Sequence, residues 1–211
     1  MKRSVLNTLI CIAILFLAVN SNAQRNQLIL IKKDRNIRTE YQVMKSDTAV
    51  KNGFYNRFYK NKIIESGHYH NNAKTGLWRY YNLKGIFEFE YDFTNNVVTR
   101  LSGDRDPNME TPCLFKGSPL IPYLYIVEHV RYPKEAVDMD LSGKVVLGLK
   151  INTEGKVWAM YLAEKFHHSL DSEVMRVARS FPSDWEWLSA TKFGKPVCGE
   201  YLITVEFELE P

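Results

Sequence analysis

The feature that most constrains this chain is an echo in its first half. "GFYNRFYKNKIIESGHYHNN", beginning at Gly53, is followed by "GLWRYYNLKGIFEFEYDFTNN", beginning at Gly76. Gly53 aligns with Gly76, Tyr55 with Trp78, Ile63 with Ile86 and Glu65 with Glu88. After one inserted residue, Asn71-Asn72 aligns with Asn95-Asn96. A period of about two dozen residues, with glycines and aromatics at fixed offsets, marks stacked supersecondary units. Each unit reads as an aromatic strand, a polar turn, a second strand and an Asn-Asn turn. One hairpin cannot bury its aromatic face alone, so neighbours must stack into a continuous core. Upstream, apolar Leu28 to Ile31, the turn signal Asp34-Arg35-Asn36 and a segment through Tyr41 and Val43 predict another hairpin.

The stretch from Asn52 to Asn96 resembles the MORN-type repeats, in the "GxWxxYY…G" form of bacterial proteins similar to the YwqK antitoxin component. That resemblance implies a fold and says almost nothing about function. "LSGDRDPNMETP", residues 101–112, then breaks all periodicity with glycine, aspartates and two prolines, and reads as a linker.

Beyond Cys113 the pattern is α+β. Leu120, Leu124, Val127 and Val130 share a helical face, with Pro122 tolerable in the first turn. Pro133 opens a short helix, "PKEAVDM", which Gly143 is expected to stop. Val145, Leu147, Leu149 and Ile151 alternate with Val146, Gly148 and Lys150 as a strand with one apolar face. Asn152 to Gly155 is its turn and Lys156 to Ala163 the returning strand. Leu170, Val174, Val177, Ala178 and Phe181 make a helix stripe, with Ser169 or Asp171 as cap. In "EYLITVEFELE" Tyr201, Ile203, Val205, Phe207 and Leu209 face inward. Leu202, Thr204, Glu206, Glu208 and Glu210 face out. The fold class is therefore α+β: an antiparallel hairpin-repeat domain, then a three-stranded antiparallel sheet with helices on one face.

Tyr132-Pro133, Ala136, Gly143-Lys144-Val145, the "INTEGKV" turn from Ile151 and Leu170-Asp171 recur here in the order of a known family. Trp185 or Trp187, Gly194-Lys195-Pro196-Val197 and Val205-Glu206-Phe207 complete the series. Together they resemble the TonB C-terminal domain over most of Phe115 to Leu209. The resemblance implies a protein that grips an extended peptide of an outer-membrane receptor by adding it as a strand along its last strand. An edge strand offers unpaired N–H and C=O groups for affinity, and neighbouring side chains for selection. Carried onto this chain, the edge comprises Cys198, Glu200, Leu202, Thr204, Glu206 and Glu208. The segment before the second helix, His129, Val130, Arg131 and Tyr132, is a further partner-binding candidate. The glutamate row has a plainer role as well, preventing promiscuous sheet pairing.

The chain departs from the energy-transducing members. Its apolar N-terminal segment has no histidine, a repeat domain stands where they carry a Pro-rich spacer, and His129-Val130 replaces their Gln-Pro. Trp185-Glu186-Trp187 also lacks the proline of their Trp-x-Pro. The expected function is therefore a non-enzymatic envelope protein binding an extended partner segment, linked to transport across the outer membrane. A membrane-anchored transducer and an envelope scaffold binding through its repeat face are the alternatives.

Lys2 and Arg3, an apolar run from Leu9 to Val19 and Ser21-Asn22-Ala23 read as a secretory signal cleaved after Ala23, too short to span a bilayer with ease. An uncleaved inner-membrane anchor facing the periplasm is the other reading. The expected division is 1–23 signal, 24–100 repeats, 101–112 linker and 113–211 TonB-like domain, in a periplasmic protein. Removing two cations from 28 leaves 26 against 24 acids, a net +2, so nothing draws nucleic acid. Cys113 and Cys198 remain, a disulfide or two free thiols. His68 and His70 share a strand face without identifiable further ligands, and His167-His168 reads as loop, so no metal is expected. No cofactor and no catalytic constellation emerges. Partner identity and oligomeric state are not written in the sequence.

Overall fold

The computed structural model describes residues 27–34 and 36–209, so the apolar leader and its expected cleavage point lie outside the described part. Seven strands form one sheet in sequence order: β1 (Gln27–Asp34), β2 (Ile37–Met44), β3 (Lys51–Tyr59), β4 (Lys62–His70), β5 (Ala73–Tyr81), β6 (Phe87–Asp92) and β7 (Val97–Leu101). The chain divides into two compact units at a boundary inside β5. The first runs to Trp78 and takes in Phe93–Asn95; the second holds Arg79–Asp92 and everything from Asn96 onward.

In the first unit the turns carry the repeat. Lys60 and Asn61 (φ 45° and 65°), and Asn71 and Asn72 (φ 47° and 68°), are left-handed at both central positions. That is the turn whose twist matches paired strands, and asparagine tolerates it best after glycine. Asn72 is also tied to the start of β3: its Oδ1 accepts from Lys51 N at 2.8 Å and its N donates to Lys51 O at 2.9 Å.

The core of this unit is a stack of rings. Tyr55, Tyr69 and Trp78 lie with centroids 5.1–5.5 Å apart, and Tyr41 follows 6.1 Å from Tyr55. Gly67 makes the stack possible, because a Cβ there would sit 2.3 Å from the Trp78 ring. Trp78 Nε1 meanwhile donates to His68 O at 3.1 Å, so its one polar atom is satisfied. Buried Glu65 accepts from Lys74 Nζ at 2.8 Å and lies 3.5 Å from Arg57. Burial, then the Glu65 charge, pushes the Tyr55 phenol up to about 12.

The echo in letters is only partly an echo in roles. Tyr55 and Trp78 are both buried ring-stack members, but Glu88, aligned with Glu65, bonds Asn82 instead. In the second unit the buried carboxylate is Glu90, held by Arg79 Nε at 2.8 Å and Thr99 Oγ1 at 2.8 Å. Ile86 is exposed where Ile63 is half-buried. A bulge between Arg57 and Phe58 shifts the first hairpin's register, and an odd-residue shift moves side chains to the opposite face.

The second unit continues with β8 (Glu110–Thr111), β9 (Leu114–Phe115), α1 (Leu120–His129), α2 (Lys134–Asp138), β10 (Gly143–Ile151) and β11 (Val157–Glu164). Then follow α3 (His168–Ala178), β12 (Trp187–Leu188), β13 (Ala190–Lys192), β14 (Lys195–Val197) and β15 (Gly199–Phe207). Its main sheet is antiparallel with order β11-β10-β15, and two minor sheets join β12 to β9 and β14-β13-β8. Val145, Leu147, Leu149 and Ile151 pack with Ile203, Val205 and Phe207 against Leu170, Val174, Val177 and Ala178. Each of the valine, leucine, isoleucine and phenylalanine side chains among them, when fully buried, stabilises the fold by about 1.5–3 kcal/mol. The alternating pattern and the helical stripe thus form the expected α+β layers. In the stretch expected as linker, Leu101 ends β7 and is buried, and buried Thr111 bonds Thr191 across strands at 2.9 Å.

Three local expectations are corrected. In α1 the buried residues are Leu120, Pro122, Leu124 and Ile126, while Val127 is exposed. Tyr125 turns that helix, because its ring packs edge-on to Phe181 and Trp185 and its hydroxyl donates to Ser180 O at 2.7 Å. Helix α2 ends at Asp138, and Gly143 instead opens β10, where a Cβ would strike the Phe166 ring at 2.6 Å. The cap of α3 is His167, whose side chain accepts from Ser169 N, rather than Ser169 or Asp171.

Candidate peptide-binding edge

Strand β15 pairs with β10 through nine consecutive residues, Gly143↔Phe207 to Ile151↔Gly199, without a register shift. Among the described residues no strand pairs with its other flank. At the opposite side of the sheet β11 is also an edge, but its ladder to β10 is irregular between Val146 and Leu147 and between Lys150 and Ile151. Bulges of that kind twist an edge out of the shape another backbone needs. The regular edge is β15.

Along β15, Glu200, Leu202, Thr204 and Glu206 are exposed and alternate with Tyr201, Ile203, Val205 and Phe207, which are partly or fully buried. Cys198 and Glu208, just outside the strand, are exposed. Glu206 lies opposite Lys144 and Glu200 opposite Lys150 on β10, so the acidic row is matched by bases across the sheet. Glu200 also accepts from Tyr161 OH at 2.7 Å, and Lys150 Nζ lies 5.4 Å from that ring. These bonds hold it on the sheet face. Leu202, 55% exposed, and Thr204 are the side chains at the middle of the row.

The segment before α2 meets this strand at one residue. Tyr132 stacks edge-on against Phe207 at 5.6 Å, and its hydroxyl donates to Leu141 O. His129, Val130 and Arg131 are held to α3 instead. Arg131 N donates to Glu173 Oε1 at 2.7 Å, and Arg176 donates to His129 O at 3.0 Å and to Glu173 at 2.6 and 2.7 Å. Hydrogen bonding from Arg176 holds the Glu173 carboxyl below its usual range. His129 stacks on Tyr125 at 4.1 Å. Sequence reading missed Glu173 and Arg176, whose only signal is an acid–base pair three apart on an exposed helix face.

Cys113 and Cys198 are both free thiols. Cys113 is buried against Gly199, where a Cβ would come within 2.7 Å of its Sγ, and burial raises its thiol pKa. Tyr201, likewise raised by burial, stacks on Trp187 at 5.0 Å and donates to Pro119 O at 3.4 Å. These contacts fix the start of β15 from its inner side. His68 and His70 are both exposed on β4. No helix among the described residues is long and apolar enough to cross a membrane.

Residues 128–209 match the family described as the Gram-negative bacterial TonB protein C-terminal. Comparison with curated proteins finds no match. The matched span begins in the last turn of α1 and runs through the end of β15, so it contains both candidate segments. That family is a periplasmic, non-enzymatic interaction domain of the cell envelope, with outer-membrane proteins as its partners. Residues 128–209 are thus similar to the TonB C-terminal family, and the hairpin strands precede them in the chain.

Proposed function

We propose that this protein is an envelope interaction module that captures an extended segment of an outer-membrane receptor, or of another envelope protein, by strand addition along β15. The observation that carries this reading is the contrast between the two edges of the main sheet: nine unshifted pairs on β15, two irregularities on β11. Main-chain N–H and C=O groups on the outer flank supply affinity, and Leu202 and Thr204, bracketed by Glu200, Glu206 and Glu208, select the partner. Tyr132, packed on Phe207 at the strand's end, extends the recognition surface, and the His129–Arg131 segment, held to α3, leads into it. The protein works from the periplasm, exported by a signal cleaved after Ala23, with its repeats in 24–100 and its binding domain in 113–211.

A photoreactive residue at Thr204, with one at Trp158 on β11 as comparison, tests it in the intact envelope. Capture of an outer-membrane protein from Thr204 and not from Trp158 is the expected result. Equal capture from both positions, or none from Thr204, overturns strand addition. Fractionation separates this from an anchored transducer, which would stay with the inner membrane at full mass.

A second reading, a scaffold binding through the repeat sheet, draws on β1. Ile29 and Ile31 project from the same side of that strand with 60% and 57% exposure. Ile29→Lys with Ile31→Lys abolishes partner capture under the scaffold reading and leaves it intact under strand addition.

A further inference from the structure

Helices α2 and α3 bring together three side chains that the sequence separates. Glu135 lies in the short helix α2, His167 caps α3 and His168 is its first residue. A ligand atom from each lies within 4.8 Å of the others. His168 Nε2 is 3.2 Å from Glu135 Oε2, and the two imidazole rings are 4.3 Å apart. Nitrogen and carboxylate ligands bind zinc at about 2.0–2.2 Å, which in a tetrahedron separates neighbouring ligand atoms by roughly 3.3–3.5 Å. The Glu135–His168 separation is already close to that. The third ligand needs only a side-chain adjustment.

We infer that Glu135, His167 and His168 form a divalent-cation site that takes zinc, which staples α2 to α3. Two imidazoles and one carboxylate suit a borderline cation such as zinc, and leave a fourth position for water or a partner's ligand. Ligation through His167 Nε2 puts the ring's proton on Nδ1, which gives up the long capping bond from Ser169 N (3.4 Å) and donates to Ser169 Oγ, 2.9 Å away, the kind of outer contact that fixes metal-binding imidazoles. The positive end of α3 opposes a cation, but Asp171 in its first turn brings a compensating carboxylate, with Oδ1 accepting from Phe166 N at 3.0 Å. Glu135 and His168 are exposed, so an ion reaches them from solvent without a conformational change. The ion pair they make without metal is a surface pair, and its loss leaves the fold intact.

The test is titration of the tag-free protein with zinc alone, read by competition with a chromophoric chelator and by thermal unfolding. The expected result is one zinc per chain and a Tm that climbs with zinc concentration, as mass action requires. In His168→Ala and in Glu135→Gln the affinity falls at least tenfold and the zinc-dependent Tm rise disappears, while Tm without zinc stays at the parent value. A Cys113→Ser, Cys198→Ser double variant retains the site. Absence of saturable binding overturns the inference. So does binding undiminished in both ligand variants, which would place the ion on other histidines or on the thiols.

Discussion

The ring-stacked sheet of the first unit and the three-stranded sheet of the second both have an apolar face to cover, and they cover it differently. In the first, Tyr41, Tyr55, Tyr69 and Trp78 lean over their own strands, and Gly67 leaves the gap into which the indole falls. In the second, α1 and α3 lie on an aliphatic face built from Val145, Leu147, Leu149, Ile203 and Val205. A strand-made roof brings polar atoms inside: Glu65 is buried with Arg57 and Lys74 beside it. A helix-made roof leaves the sheet's interior free of charge and frees the outer strand for another task. The first sheet is accordingly sensitive to charge and pH, the second to volume.

The comparison breaks most directly at Trp78. Trp78→Ala removes the residue on which the stack closes and is expected to cost about 3–5 kcal/mol in urea unfolding. Gly67→Ala produces a loss of the same kind by displacing the ring rather than deleting it, with a change in tryptophan fluorescence. A fully tolerated Gly67→Ala would mean that the ring does not lie over that backbone.

The aliphatic sheet answers with Leu147, which is fully buried and lies opposite Ile203 and Leu162 on its two flanking strands. Leu147→Ala is expected to cost about 2–5 kcal/mol. Its effect should be nearly the same at pH 7 and pH 10, because among the described residues that cluster is aliphatic and aromatic, with Cys113 its one thiol and the tyrosines only at its margin.

Alkali separates the two sheets next. Tyr55, pushed up to about 12, keeps its proton in the folded state while the unfolded chain releases it near its ordinary value of about 10. The folded pKa is the higher one, so the stabilisation is complete below about pH 10 and is lost as pH rises through about 12. A displacement of roughly two pH units corresponds to about 3 kcal/mol, an order of magnitude that raised Tyr69 reinforces. Tyr55→Phe should flatten the fall in stability above pH 10; an unchanged profile would assign alkaline unfolding to another group, with raised Tyr201 as the first candidate.

What could be read from the residues alone divides along physical lines. Period-two alternation is local, so β10 and β15 were legible, and so was the placement of Tyr55 and Trp78 at equivalent positions of successive hairpins. The face of α1 was not, because a tyrosine is polar at its tip and apolar in its body, and only the neighbours Phe181 and Trp185 show which end governs. The roles of Glu88 and Glu90 could not be told apart without the register. The edge itself was legible through a family resemblance, whereas Glu173, Arg176 and the Glu135–His167–His168 group depend on helix packing that joins residues far apart in the chain.

The smallest expected effect tests whether the three-stranded sheet's freedom from charge extends to its rim. Glu173 is held below its usual range first by Arg176 and also by Arg131 N. Its folded pKa is the lower one, so its contribution is present at neutral pH and lost as pH falls through the folded value. Arg176 is exposed and solvent screens the pair, which limits Glu173→Gln to about 1 kcal/mol or less in stability at pH 7. Amide exchange at Arg131, whose N–H loses a charged acceptor, should quicken far more than that figure suggests. A stable protein with a loosened His129–Tyr132 segment and weaker partner capture would show that the rim ion pair positions recognition. If exchange at Arg131 is unmoved, the segment is held by Tyr132 against Phe207, by His129 on Tyr125 and by Arg176 on His129 O, and the Glu173 carboxylate has no part in it.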